Sequence, residues 1–170
     1  MVLEKKTVLL SSTVLDFLDT RSILKTRLRR WGFHVLASDC GTIPVDGTKH
    51  SFEVCLEAAR NCDFMVALIG SRYGCVLPDG KRSIVRAEIE EASNSNRPVY
   101  VFVRRGVWDA KEVYKQYLAS GYPFLPTKLV SDVRIFDLID SVRKKERGNW
   151  LFFFDSPMEI IRVLRLQLGK

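Results

Sequence analysis

Carboxylates are the groups in this sequence best placed to do chemistry. Glu88, Glu90 and Glu91 fall within residues 83–94, where the apolar spacing predicts a helix whose geometry separates the three. Glu88 has Ile84, Val85 and Ala92 four before, three before and four after it, so it borders the apolar face. Glu90 stands beside Arg86 and Asn94 on a face that water reaches, and Glu91 is intermediate. A carboxylate bordering a core near the mouth of a sheet is one whose pKa the fold can tune for acid–base or nucleophilic work. On this geometry alone Glu88 is either a functional group or a satisfied glutamate at the edge of the core.

Other chemistries lack their patterns. Lys81-Arg82-Ser83 has none of the glycines that let backbone amides wrap a phosphate, and there is no Gly-x-Gly-x-x-Gly. No Gly-x-Ser-x-Gly elbow occurs, and neither His34 nor His50 follows a candidate nucleophile. The four cysteines, Cys40, Cys55, Cys62 and Cys75, form no Cys-x-x-Cys pair. Free thiols in a reducing compartment are expected, with Cys55 and Cys62 as small buried hydrophobes and no metal site.

The elements that must position Glu88 alternate strand and helix. Residues 7–12 read as a buried strand ending in two serines, and Thr13 with Asp16 has the spacing of a helix-capping box. Phe17, Leu24, Leu28 and Trp31 then share a helical stripe that Gly32 stops. A second strand covers 33–37, followed by a loop over 38–50 long enough to be functional. Ser51 is expected to cap a helix with Phe52, Cys55, Leu56 and Ala59 inward. Residues 63–70 are apolar on both faces, as a central parallel strand must be. Pro78-Asp79-Gly80 marks a turn, Ser83 opens the glutamate helix, and Pro98 leads into a strand over 99–103.

Beyond it, 108–119 reads as helix, 121–126 as a break, and Ile135, Leu138, Ile139 and Val142 as another helical stripe. A fifth strand covers 151–154, and Ser156, Pro157 and Glu159 start a last helix. Tyr114, Tyr117, Tyr122 and Phe124 either cap the sheet edge or form a lid or assembly surface. This regular alternation predicts an α/β fold: a single domain over 1–170 with a doubly wound, mostly parallel five-stranded sheet. The flavodoxin-like strand order 2-1-3-4-5 is expected, with any ligand beyond the carboxyl ends of the strands. Those ends are Ser11-Ser12-Thr13, Ser38-Asp39 and the stretch from Gly70 to Gly74.

An apolar fraction of 46% with 28% charged residues excludes a disordered chain. No apolar run is long enough to span a membrane, and the start lacks a secretory signal, so a cytoplasmic protein without a membrane partner is expected. The net charge of +7 comes from scattered positives apart from Arg143, Lys144, Lys145 and Arg147. Without interleaved aromatics this reads as a solvated helix face, and a nucleic-acid partner is not expected.

Several segments carry a family resemblance. Ser11-Ser12-Thr13-Val14-Leu15-Asp16-Phe17, with Arg21 one turn on, resembles the opening of a TIR-like family, formerly of unknown function, found at the N-terminus of STAND-type NTPases. Gly70-Ser71-Arg72-Tyr73-Gly74 resembles its Gly-x-Arg-Tyr-Gly signature, and Ser83, Glu88, Ala92 and Arg97-Pro98-Val99 resemble its glutamate helix. The chain departs from the family in carrying Arg86 where an acid is common and Asp39 where a glutamate is usual.

The resemblance implies a TIR-like fold and cleavage of the N-glycosidic bond of NAD or a related nucleotide, with Glu88 as the catalytic carboxylate. It implies nucleotide contacts from Ser11, Ser12, Thr13, Asp16, Asp39, Arg72, Tyr73, Gly74 and Ser83, with Arg72 on a phosphate and Tyr73 stacked on a base. NAD would be a substrate, and no cofactor is implied. The nicotinamide ring of NAD is cationic while bound and departs without a general acid, so one carboxylate that stabilises or attacks the anomeric carbon suffices. The implied setting is a defence or stress-signalling protein, activated by self-association or working with a fused or associated NTPase. A non-catalytic interaction module and a nucleoside deoxyribosyltransferase-like enzyme are the alternatives.

Overall fold

In the computed structural model, which describes residues 5–44, 46–121 and 129–170, five strands form one all-parallel sheet. They are β1 (Thr7–Ser12), β2 (His34–Leu36), β3 (Phe64–Ile69), β4 (Val99–Arg104) and β5 (Leu151–Phe154), in the expected order β2-β1-β3-β4-β5. The described helices are α1 (Leu18–Arg30), α2 (Ser51–Asn61), α3 (Ile84–Asn94), α4 (Arg105–Ala119), α5 (Arg134–Arg143) and α6 (Pro157–Gln167). None is long and apolar enough to cross a membrane.

Both sheet faces are covered, which is why β3 is buried along its whole length. Phe64, Val66 and Leu68 join Leu24 and Leu28 of α1 and Ile160 and Leu164 of α6 in one core. Met65, Ala67 and Ile69 join α3 and α5 residues, with Ala58 and Ala59 of α2 and Val107 of α4, in the other. β1 follows the same alternation: Val8 and Leu10 face α1 and α6, and Leu9 faces the opposite core. Continued to the strand end, the pleat sends Ser11 toward α3 and Ser12 toward α1. The chain pairs β2 on one side of β1 and β3 on the other, so the switch point lies at the carboxyl ends of β1 and β3.

Three helix starts differ from the sequence expectation. Thr13 and Asp16 do not cap α1; residues 14–16 form a turn, Phe17 is the N-cap residue without a side-chain cap, and Asp16 is drawn away to the loop after β3. Ser51 is the first residue of α2, and the cap is His50: its ring accepts from the Phe52 amide, and Glu53 accepts from the His50 amide at 2.7 Å. Phe52 and Leu56 are only half-buried, because α2 packs chiefly on α3. At α6 the Ser156 hydroxyl makes no cap bond, and Glu159 accepts from the Asp155 amide instead. By contrast, Ser83 caps α3 as expected, its hydroxyl accepting from the Arg86 amide at 3.3 Å.

α4 follows β4 directly at Arg105, and its Tyr114 packs on Phe136 of α5 with ring centroids 5.2 Å apart, which favours the capping role for that residue. Tyr117 is exposed, and Tyr122 and Phe124 lie outside the described residues.

The two signature segments pack onto one another. A Cβ at Gly70 would stand 2.6 Å from Cζ of Phe17 and 2.7 Å from Oδ2 of Asp16. Gly74 has φ +82°, and a Cβ there would meet Cγ2 of Thr13 at 2.7 Å. Asp16 accepts from the Arg72 amide at 2.8 Å and pairs with Arg72 Nε at 3.1 Å. Each motif therefore needs the other for steric and hydrogen-bonding reasons. Gly70→Ala should destabilise the fold by about 1–3 kcal/mol, since a buried ring and a carboxylate must both shift. Urea denaturation measures it; an unchanged midpoint would show that the β1 turn yields freely.

Candidate active site

A cavity of about 790 Å³ opens at the carboxyl ends of β1 and β3, where the topology places ligand sites. Ser11, Ser12 and Thr13 enter it from the end of β1, and Ser51 and Cys55 from α2. The loop after β3 adds Ser71, Arg72, Gly74 and Cys75, and Ser38 and Ser131 come from other loops. Ile43, Val85 and Val130 are among its apolar walls. Glu88 stands in this lining.

Val85, Glu88 and Ala92 make one buried stripe of α3, so the helix carries a carboxylate where its spacing calls for an apolar side chain. Only 5% of Glu88 is exposed. Burial pushes its carboxyl up to about 7, against the Ser11 hydrogen bond, the charge of Arg21 and the Cys55 thiol, which all favour ionisation. The Ser11 hydroxyl donates to Oε2 at 2.5 Å. Burial, followed by the charge of Glu88, pushes the Cys55 thiol up to about 11, so at neutral pH it is a protonated donor to the carboxylate. No ion pair joins Glu88 to a cation among the described residues. A carboxyl held this way exchanges its proton near neutral pH, which suits a general acid, a nucleophile or a stabiliser of positive charge.

The sheet's other side supplies a second buried ionisable group. Arg21 is fully buried on α1, with Nη1 donating to Ser12 Oγ at 2.7 Å and to the Leu10 carbonyl at 3.3 Å. Its Nη2 pairs with Asp39 at 2.5 Å, and Lys25 meets the other Asp39 oxygen at 2.7 Å. Burial alone would raise the Asp39 carboxyl, but the bonds and charges of Arg21 and Lys25 hold it well below the ordinary carboxylate range.

The structure thus brings Ser11, Ser12, Thr13, Arg72, Gly74 and Glu88 to one cavity and keeps four other expected site residues out of its lining. Asp39 is occupied by Arg21 and Lys25. Asp16 is occupied by Arg72, so Arg72 already has an acid partner although its side chain remains 59% exposed. Ser83 is spent on capping α3. Tyr73 is not a free stacking platform: it is buried, its hydroxyl donates to the Lys81 carbonyl and accepts from the Ser83 amide, and the Arg134 guanidinium covers its ring. Its work is to fold the loop between β3 and α3.

Thr13 Oγ1 is buried without a hydrogen-bond partner beside the cavity, which suits it to a ligand oxygen. Sequence reasoning missed Cys55, Ser38, Ser51 and Ser131 as lining groups, and it named Arg21 without a role. The signal for Arg21 was present: Phe17, Arg21, Leu24 and Leu28 have the spacing of one buried stripe. Among the described residues no three histidines, cysteines or carboxylates cluster as metal ligands.

Residues 7–169 match a family described as "Domain of unknown function (DUF4062)". No curated protein matches the chain by sequence. Among solved structures, a Clostridium botulinum CMP N-glycosidase, BcmB, is similar at 15% identity and a TM-score of 0.52, over 95% of this chain and 99% of that one. At that identity the likeness is one of fold. CapF, solved with the inhibitor 3-isopropenyl-tropolone, is similar at 14% identity over 69% of this chain and 28% of that one, with a TM-score of only 0.35.

The Glu88 environment has a cost that pH reveals. The folded carboxyl keeps its proton up to about 7, whereas the ordinary value for glutamate is 4.5. The native state therefore binds more protons than the unfolded state between those values, and stability falls as pH rises through that window. The loss from this group is about 3 kcal/mol. Glu88→Gln should remove most of that slope in urea denaturation between pH 5 and pH 8; identical slopes in both proteins would show that Glu88 ionises freely.

Proposed function

The chain belongs to the DUF4062 family, and from that premise we propose that it is an enzyme cleaving the N-glycosidic bond of a nucleotide, with Glu88 as the catalytic carboxyl. The observation that carries this reading is the buried carboxyl itself, held by Ser11 in the wall of a nucleotide-sized cavity at the switch point of the sheet. The fold likeness to a nucleotide N-glycosidase supports it. A phosphate contact from Thr13 and Arg72 is part of the reading: both line the cavity, Thr13 Oγ1 is buried without a hydrogen-bond partner, and Arg72 stays largely exposed beside its partner Asp16.

In hydrolysis the C–N bond breaks with its electron pair going to the base, a water oxygen bonds to the anomeric carbon, and the water's extra proton passes to ionised Glu88 or to solvent. Nicotinamide leaves NAD as a neutral molecule, so ionised Glu88 serves by stabilising the oxocarbenium-like carbon or attacking it. A pyrimidine or purine that is neutral while bound would leave as an anion and so needs a proton, which protonated Glu88 can supply. With its carboxyl near 7, the residue offers either form close to neutral pH. NAD is the finer substrate reading, and a defence or stress-signalling protein with an associated NTPase is the setting that the family resemblance implies.

Base release from NAD and from CMP, read by chromatography for the wild type and Glu88→Gln, tests the assignment. The variant should lose at least about a hundredfold. Activity on NAD should rise with pH through about 7, and activity on CMP should fall through the same value. Equal release by variant and wild type would remove Glu88 from the mechanism, and no release from either nucleotide by the wild type would favour an interaction module. Self-association belongs to the reading as well: specific activity should climb with protein concentration, whereas a flat dilution series would indicate a self-sufficient site.

A further inference from the structure

Asp39 stands where a nucleotide ligand was expected, yet its oxygens are taken by Arg21 and Lys25. We infer that Asp39 is a positioning residue that acts on Glu88 through Arg21, holding the guanidinium behind the end of β1, where Ser12 accepts from it, and balancing its charge. The inference rests on the reading of Glu88 as the reacting carboxyl.

The geometry has three steps. Glu88 is faced by Ser11 from β1 and Cys55 from α2, with apolar Val85 and Ala92 beside it on α3, and the charge of Arg21 reaches it from the other side of the β1 end. Arg21 is fully buried and bonds Ser12, the residue next to the one that holds Glu88. Asp39 then sets one negative charge against two cations, Arg21 and Lys25. An uncompensated guanidinium in so poorly screened a place would favour ionised Glu88. Asp39 counters that field without touching the cavity.

Because Asp39 opposes Arg21 while Lys25 opposes Asp39, two substitutions should move Glu88 in opposite directions. Asp39→Asn leaves both cations uncompensated, so Glu88 should release its proton at lower pH. Lys25→Met removes a cation and should raise the midpoint. Shifts on the order of half a unit are expected at this remove. A role confined to holding the fold together would not produce opposed shifts.

The test is an NMR pH titration of protein labelled with 13C at the glutamate side-chain carboxyl, with the Glu88 signal identified by its loss in Glu88→Gln. It needs no turnover, so it separates the two claims. A wild-type midpoint near the ordinary glutamate value would sink the reading of Glu88 itself. A raised wild-type midpoint that neither variant moves, or that both move the same way, would overturn only the role of Asp39. If Asp39→Asn does not give a folded spectrum, Lys25→Met decides: an upward shift supports the inference, and an unmoved midpoint overturns it.

Discussion

Two adjacent serines at the end of β1 serve two buried ionisable groups on opposite faces of the sheet. Ser11 holds Glu88 on one side, and Ser12 accepts from Arg21 on the other. The pleat makes this unavoidable, since consecutive side chains on a strand point opposite ways. The surrounding site depends on that arrangement: the central strands must be covered on both faces, yet their ends must tolerate a carboxyl and a guanidinium out of water. An isolated buried charge is costly, and the protein meets the cost differently on each side. Arg21 is matched by a counter-ion and a backbone carbonyl, whereas Glu88 has hydrogen bonds and a shifted titration but no ion-pair partner.

That difference divides structure from chemistry. The Arg21–Asp39–Lys25 cluster ties α1 to the turn after β2 and fixes one wall of the cavity. The Asp16–Arg72 contacts and the close approach at Gly70 tie the turn before α1 to the loop after β3, fixing another. Most of the charged residues in the two signature segments are thus engaged in holding loops together. Glu88 is left as the buried carboxyl that faces the cavity with its proton in play.

The fold was legible in the sequence because its signals were redundant. Apolar continuity in β3, stripes in the helices and short connections all pointed to the same sheet order, and the structure has it. Glu88 was legible from its place between Val85 and Ala92, but the extent of its burial was not, because that depends on α2 and β1 closing over it. Asp39, Tyr73 and Ser83 lie outside the cavity lining for a shared reason. Each has a residue type that suits a ligand, and each is consumed by a partner distant in sequence or by a helix end, which spacing alone does not reveal. The cap of α1 was misread because a capping pattern specifies local bonds, while a tertiary partner such as Arg72 can claim the same carboxylate. The cap of α2 is local but lies one residue earlier, where the His50 ring takes the role expected of Ser51.

The central claim is spatial: a nucleotide's glycosidic carbon sits against the buried carboxyl at the end of β1. The most direct measurement is a crystal structure of Glu88→Gln protein soaked with NAD or with CMP, so that an intact nucleotide is trapped. The account predicts the anomeric carbon about 3–4 Å from the side chain at position 88, with a phosphate toward Thr13 and Arg72. A nucleotide bound outside the cavity, or inside it with the glycosidic bond turned away from position 88, would contradict the account.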